Sequence, residues 1–317
     1  MQLDGIHHIT AITGNAPVNL DFYTRVLGMR LTAKTVNQDD PGVYHLFYGD
    51  ENARPGADLT FFEYPGAVPG RPGAGMIHRI VHRVGSPEAI DFWEGRLSGE
   101  GVETVRDGDR LIFADPEGLA HELVVDTSGD APLTAAHPEI PGEMALRGFE
   151  GVRAYSALPS GSAAMLERLM GAERDDSEDE RFVLRGDSRG GWIAFDPAPP
   201  EPGRPSAGTV HHVAWGTWDA DLPGWIEKVG QAGVPSSGFV DRHYFHSLYF
   251  REPGGILYEL ATDEPGFLVD GLPVEDLGTK IILPPFLESQ RELIEARLTP
   301  LPDPRADWPA PAQAPPD

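Results

Sequence analysis

GMIHRIVHRV (75–84) and GTVHHVAWGT (208–217) carry one pattern twice, and ADPEGLAHELV (114–124) and REPGGILYELA (251–261) carry a second. Each opening piece is a short β-type segment. Each closing piece is a D/E-P-x-G turn followed by an apolar strand that holds a Glu. Between them lie further strands and a helix-like stretch, PEAIDFWEGRLSGEG (87–101) in one case and ADLPGWIEKVGQAG (220–233) in the other. Self-similarity of this kind decides an architecture before any single motif does.

Two more segments share the outline. GIHHITAIT (5–13) leads through a helix, VNLDFYTRVLGM (18–29), to VYHLFYG and DLTFFEY, and GFEGVRAYS (148–156) leads through SAAMLERLMG (162–171) to RFVLRG and GGWIAFDP. The unit is βαβββ, repeated four times, which makes the chain α+β. Modules one and two are expected to form an N-terminal domain at 1–130, and modules three and four a C-terminal domain at 145–270. DTSGDAPLTAAHPEIPGE (126–143) has the composition of a linker. Residues 271–317 hold one amphipathic helix, LESQRELIEARL (287–298), and a Pro-, Ala- and Asp-rich tail from 299 that composition marks as disordered.

Composition narrows the chemistry. The 317 residues suggest two domains or one large one and are 40% hydrophobic, enough for real cores, and the net charge of −25 argues against nucleic acid, which demands basic patches. No apolar run reaches the roughly 18 residues of a membrane helix, and MQLDGIHHIT lacks the basic start and apolar stretch of a signal peptide, so a cytoplasmic protein is expected. There are no cysteines, which removes thiolate nucleophiles, thiolate ligands and disulfides. Any metal must sit on His, Asp or Glu, a donor set that suits Fe(II), Mn(II), Ni(II) or Zn(II).

The repeat then filters the candidates. His8, Arg79, Gly151 and His212 stand at the first-strand position of modules one to four, and Glu63, Glu122, Asp196 and Glu259 at the last-strand position. Modules one and four keep an imidazole and a carboxylate, which can bind a divalent ion; a guanidinium cannot. Arg79 is expected to pair with Glu122 where a site has been lost. Modules one and four must approach each other for their ligands to share one ion. A lone strand histidine is ordinarily structural, and His45, His78, His82, His121 and His137 are read that way, as are Glu122 and Asp196. The HH doublets 7–8 and 211–212 differ because they recur at equivalent positions.

The modules resemble the vicinal oxygen chelate superfamily, which includes glyoxalase I, bleomycin-resistance proteins and extradiol dioxygenases; the likeness covers about residues 5–262, so the fold implied is two such domains. More narrowly, IHHIT (6–10), TVHHVAW (209–215), DRHYFHSLYFREPGGILYELATDEPGF (241–267) and LPPFLE (283–288) resemble the hydroquinone-cleaving dioxygenases of the PcpA and MhqO group. That resemblance implies Fe(II), for which Mn(II) is an alternative the same donors suit, held by His8, His212 and Glu259. It also implies that His7, His211 and Thr10 form a supporting polar cluster and that Arg242 and Tyr249 lie beside a bound phenol. The implied partners are a small aromatic diol and O2, with no nucleic acid or membrane; a homo-oligomer stays open. Phe245, Phe250, Trp215 and Phe267 are candidate pocket walls or core residues.

Three other readings remain. A glyoxalase-type isomerase or lyase would use Glu63 as a fourth ligand, although a one-residue change of register would turn Glu63 to the other face. A catechol extradiol dioxygenase would hold its metal wholly in the C-terminal half, where Gly151 stands in place of a histidine. A non-catalytic binding protein of the bleomycin-resistance type would need no triad.

Overall fold

A computed structural model describes residues 1–175, 178, 180–306 and 308. All four modules form, each with four strands. The first contains β1 (Ile6–Thr13), β2 (Arg30–Asn37), β3 (Asp40–Gly49) and β4 (Asp58–Glu63). The second contains β5 (Met76–Val84), β6 (Thr104–Asp107), β7 (Arg110–Ala114) and β8 (Ala120–Val125). β9 (Phe149–Tyr155), β10 (Glu173–Arg174), β11 (Arg181–Arg185) and β12 (Gly190–Phe195) make the third. The fourth has β13 (Thr209–Thr217), β14 (Val240–Asp241), β15 (Phe245–Arg251) and β16 (Leu257–Pro265).

A helix follows the first strand of every module. α1 (Ala16–Asp21) is capped by the Asn15 side chain and runs on as a π-turn over Phe22–Val26. α2 (Pro87–Gly99) is capped by Ser86. α3 (Pro159–Met165) continues as a second π-turn, Leu166–Met170, which stops at Gly171 with φ +78°, a left-handed conformation that favours glycine. α4 (Leu222–Gln231) buries Leu222, Trp225 and Val229. One apolar core runs from Leu3 to Leu298 and includes Trp93, Trp215, Trp225, Tyr23 and Tyr258.

The strands assemble as two eight-stranded sheets, ordered β14-β15-β16-β13-β1-β4-β3-β2 and β10-β11-β12-β9-β5-β8-β7-β6. Module one therefore shares a sheet with module four, and module two with module three. The hydrogen-bonded units cut across the expected contiguous division at 1–130 and 145–270. The connections allow this nesting: segments 64–75 and 196–208 lie side by side, with Arg71 and Arg204 exchanging backbone hydrogen bonds of 2.7 and 3.0 Å.

The C-terminal segment differs from expectation in two ways. Residues 287–298 are not one helix but a 3₁₀ turn (Pro285–Gln290) followed by α5 (Arg291–Glu295). Leu287, Ile294 and Leu298 are buried while Arg291 pairs outward with Glu288 and Glu295, so no unbroken apolar stripe drives a continuous helix. The expected disorder from 299 does not hold at its start: Thr299 bonds Glu63, and Arg305 bonds Glu51 through both terminal nitrogens. Residues 307 and 309–317 lie outside the described residues. Among the described residues, no helix is long and apolar enough to cross a membrane.

Candidate metal centre

β1 and β13 lie antiparallel at the centre of the first sheet, with Thr10 opposite His212 and His8 opposite Ala214. β16 runs parallel to β13 and sets Glu259 beside Ala214. Alternation along the strands puts His8, His212 and Glu259 on one face and sends Trp215 to the other, into the core. The donor atoms converge: His8 Nε2 to His212 Nε2 is 3.3 Å, His8 Nε2 to Glu259 Oε2 is 3.1 Å, and His212 Nε2 to Glu259 Oε2 is 2.9 Å. All three residues are buried, and Glu259 is fully so.

This set fits a divalent ion. Glu259 Oε1 accepts a 2.6 Å hydrogen bond from Ser247, whereas Oε2 is buried against the two imidazole nitrogens and, among the described residues, has no other hydrogen-bond partner. A carboxylate oxygen left so costs stability unless a cation meets it. Three donors at right angles around an ion about 2.1 Å away would stand about 3.0 Å apart, close to the spacings observed.

The tautomers follow from the outer partners. His7 Nε2 lies 3.1 Å from the Thr262 carbonyl, which can only accept, so the proton is on His7 Nε2. His7 Nδ1 is then an acceptor, and His8 Nδ1 donates to it across 2.9 Å, leaving the His8 Nε2 lone pair for a metal. Burial, and next the neighbouring His8, push the His7 pKa down to about 3, so this imidazole is neutral near pH 7. His212 Nδ1 makes the matching 2.8 Å contact with His211 Nδ1.

Adjacent strand residues should point to opposite faces, yet both members of each doublet take part. β-Bulges explain this. The β1–β13 register slips once at His7, between Ile6 and His8, and once at His211, between Val210 and His212. The second sheet slips in the same way at His78 and at Glu150.

Behind His7, Asp263 Oδ1 is 3.8 Å from His7 Nε2 and is gripped by Arg189, with bonds of 2.7 and 2.8 Å. Arg189 comes from the β11–β12 turn of module three, and Asp4 accepts hydrogen bonds from the Ser188 and Arg189 backbone and from the Ser188 hydroxyl. Asp263→Asn is expected to weaken Mn(II) binding about 10-fold, the low end for loss of an outer partner. Titration calorimetry on the metal-free protein measures it, and wild-type affinity would contradict the role.

The register corrects two equivalences. Glu259 pairs with the residue two beyond His212, and the residue two beyond His8, Thr10, pairs with Thr60. Thr60, not Glu63, is the counterpart of Glu259. Glu63 lies three residues further on, across the strand, where Oε1 accepts from Ala16 N at 2.9 Å and Thr299 Oγ1 at 3.2 Å. Thr60 instead joins Thr10 (2.8 Å) and His45 (2.9 Å) in a polar chain. In module three the counterpart is Ala194, not Asp196.

The second sheet holds the matching place in filled form. Arg79 Nη1 is 2.9 Å from the buried Glu122, as expected for a lost site, and the Trp192 ring lies where a Cβ on Gly151 would be. Asp196 pairs with Arg153 through both nitrogens (2.7 and 2.8 Å) and with His78 at 2.8 Å. Burial alone would raise the Asp196 pKa, but the Arg153 and His78 hydrogen bonds outweigh it and hold the carboxyl well below the carboxylate range. A depressed pKa stabilises the fold in full above the ordinary value of 3.8, and that stabilisation is lost progressively as pH falls from there toward the depressed value. Asp196→Asn is thus expected to cost about 1.5 kcal/mol at pH 7. Thermal melts should show the gap to wild type narrowing steadily as pH falls from about 4 toward the depressed pKa; a gap that does not narrow over that acid range would refute the ion pair as its source.

A cavity of about 280 Å³ opens in front of His8 and His212, walled by His45, Phe62, His211, Arg242, Phe245 and Tyr249. Arg242 stands 5.4 Å over the Tyr249 ring and donates to the Tyr249 hydroxyl at 3.4 Å and to Asp39 at 3.0 Å. Burial, and next the Glu259 carboxylate, raise the Tyr249 pKa well above its ordinary range, so the phenol stays protonated. Of the four aromatic candidates, Phe245 faces the cavity, and Phe267 backs it against Phe47 and Tyr244. Trp215 and Phe250 are core residues on the opposite faces of their strands. The reading of His45 as purely structural missed its place in this wall; its spacing of two from Phe47 in YHLF was the available signal. Ser247 was missed as well, and it lies two residues from Tyr249 on β15. His82 and His121 are buried together with Tyr23, as expected for core histidines.

The sequence model of the Glyoxalase/Bleomycin resistance protein/Dioxygenase superfamily matches residues 5–123 and 159–260. The chain is 40% identical over 318 residues to "Putative ring-cleaving dioxygenase MhqA" of Bacillus subtilis (strain 168), covering 95% of this chain and 100% of that protein. It is 31% identical over 315 residues to the chlorohydroquinone/hydroquinone 1,2-dioxygenase of Sphingobium indicum, covering 92% and 94%. The crystal structure of a "putative dioxygenase" from B. subtilis subsp. subtilis str. 168 superposes with a TM-score of 0.88 at 38% identity, covering 95% and 98%.

Proposed function

The chain belongs to the Glyoxalase/Bleomycin resistance protein/Dioxygenase superfamily, and from that membership we propose that it is an Fe(II)-dependent dioxygenase opening a hydroquinone-type ring with O2. The observation that carries the reading is the count of protein donors. His8, His212 and Glu259 converge, Thr60 stands where a fourth ligand would be, and Glu63 is turned away. Three donors leave room for both a diol and O2, as a two-His, one-carboxylate set does.

When bound there, Fe(II) would lower the pKa of a phenolic hydroxyl and let electron density pass from the ring to O2. The ring itself supplies the electrons, one ring C–C bond breaks, and both oxygen atoms enter the product, so no further reductant is needed. The chain's residues do the rest. Phe245 and Phe62 bracket a flat ring in the cavity. Tyr249, protonated and beside Arg242, donates a hydrogen bond to a phenolic or developing anionic oxygen, and the fixed Arg242 charge stabilises that anion away from water. His211, on the cavity wall, moves protons, while His7, buried between Thr262 and His8, holds a tautomer. Thr10 ties β1 to the Thr60–His45 chain.

Oxygen uptake by anaerobically Fe(II)-loaded protein, with a panel of hydroquinones and catechol beside it, tests the reading. Uptake with hydroquinones is expected; none with any diol would sink it, and Mn(II) loading in parallel distinguishes the metals. Tyr249→Phe is expected to lower kcat about 100-fold with little change in KM, the loss typical of one donor to a developing oxyanion. An unchanged kcat would remove Tyr249 from the chemistry.

A further inference from the structure

A second cavity, about 270 Å³, lies between the two sheets, remote in composition from the first. Guanidiniums dominate its polar lining, in a chain whose net charge is −25. Three of them are matched by the chain itself. Arg54 bonds Asp50 at 2.6 Å, Arg83 bonds Asp130 and Glu150 at 2.8 and 2.5 Å, and Arg189 grips Asp263. Arg147 is the exception among the described lining residues. Among the described residues, no carboxylate or other acceptor is hydrogen-bonded to its side chain, and its Nε is buried without a partner.

The guanidinium of Arg147 is nevertheless seated. A Cβ on Gly85 would meet its Nη2 at 2.5 Å, so it lies flat against bare backbone at the end of β5. Its own backbone N–H donates to Arg83 O at 2.9 Å, and its carbonyl accepts from Leu133 N at 3.2 Å. Its Nε is buried without a partner and its terminal nitrogens border the cavity with no protein acceptor among the described residues, so they are free to meet an anion that enters. Ile6, Leu133 and Phe149 give the cavity apolar walls.

We propose that this cavity binds a small organic monocarboxylate, its carboxylate on Arg147 and its apolar body against Ile6, Leu133 and Phe149. Guanidinium and carboxylate match as a two-point fork. One unmatched positive charge calls for one negative charge, and Asp130 and Asp263 nearby disfavour a dianion such as phosphate. The volume sits at the low end for ligand sites, which limits the body to about the size of one ring. The carboxylate site on Arg147 uses none of the three triad residues, although Arg189 and Asp263, which back His7, also line this cavity.

Calorimetric titration of the full-length protein with sodium benzoate, and separately with inorganic phosphate, tests it. Benzoate is expected to bind one to one below about 10 mM, more tightly than phosphate. Arg147→Gln should weaken benzoate at least tenfold. Gly85→Ala should do the same by pushing the guanidinium off its seat while keeping the charge, and it decides the matter if Arg147→Gln fails to fold. Glu259→Ala should leave benzoate binding unchanged, which separates this site from chelation at the triad. No saturable binding, equal affinity in the Arg147 and Gly85 variants, loss in Glu259→Ala, or tighter binding of phosphate would each overturn the proposal.

Discussion

Replacing Glu259 with alanine is expected to abolish divalent-metal binding and all oxygen uptake, while Glu63→Gln leaves both intact. Glu259 is wholly buried, and its Oε2 faces two imidazole nitrogens within 3.1 Å. Without that carboxylate, two neutral imidazoles remain to hold a dication in a site with little water to help. Loss of an outer partner costs about 10- to 100-fold in metal affinity, so loss of a direct ligand should exceed 100-fold. Glu63 presents the opposite case. Its Oε1 caps the start of α1 at Ala16 N, and a glutamine oxygen can accept the same bond, so the expected cost is under about 1 kcal/mol of stability. Titration of both variants with Mn(II) decides between the two chemistries the fold can carry. Should Glu63→Gln lose metal as severely as Glu259→Ala, a four-ligand isomerase or lyase would displace the dioxygenase reading.

Glu122→Ala is expected to be among the most destabilising substitutions outside the core, at about 3 kcal/mol, because it strands Arg79. Glu122 is 1% exposed and accepts from Arg79 at 2.9 Å, with Arg110 at 3.6 Å on its other oxygen. The pair occupies the place in the second sheet that Glu259 and a histidine hold in the first. Removing one partner leaves a largely desolvated cation, whereas removing both charges together need not be costly. Arg79→Leu with Glu122→Leu should therefore recover most of the loss. Thermal melts of the single and double variants test this, with an expected fall of about 5–10 °C for the single. If the double variant falls as far as the single, packing rather than the stranded charge is the cause. Metal affinity should not change in either variant, since the two sheets hold separate clusters.

Much of this was legible before any coordinates. The βαβββ repeat showed in the recurrence of 75–84 and 208–217, because local strand and helix patterns depend on near neighbours. The doublets and the Glu of LYEL marked the ligands, since few residue types bind a divalent ion in a chain without cysteine. Arg79 opposite Glu122 was readable as a lost site for the same reason. The apolar seam of Leu287, Ile294 and Leu298 was visible too, although it did not make a single helix.

Other features arise from contacts between residues far apart in the chain. Nothing local dictates that module four pairs with module one, or that β1 and β13 lie antiparallel at the sheet centre. Register decided that Thr60 rather than Glu63 corresponds to Glu259, and a strand's register depends on its partners. The bulges at His7 and His211 exist only as mismatches between two paired strands, yet they bring the first histidine of each doublet to the second. Arg189 reaches Asp263, and through it His7, from a turn more than 70 residues earlier in the chain, across the junction of the sheets. Sequence by itself determined which residues were able to bind a metal and how many modules would carry them. Tertiary pairing decided which of those residues meet, because convergence on one ion is a property of long-range register that local patterns do not encode.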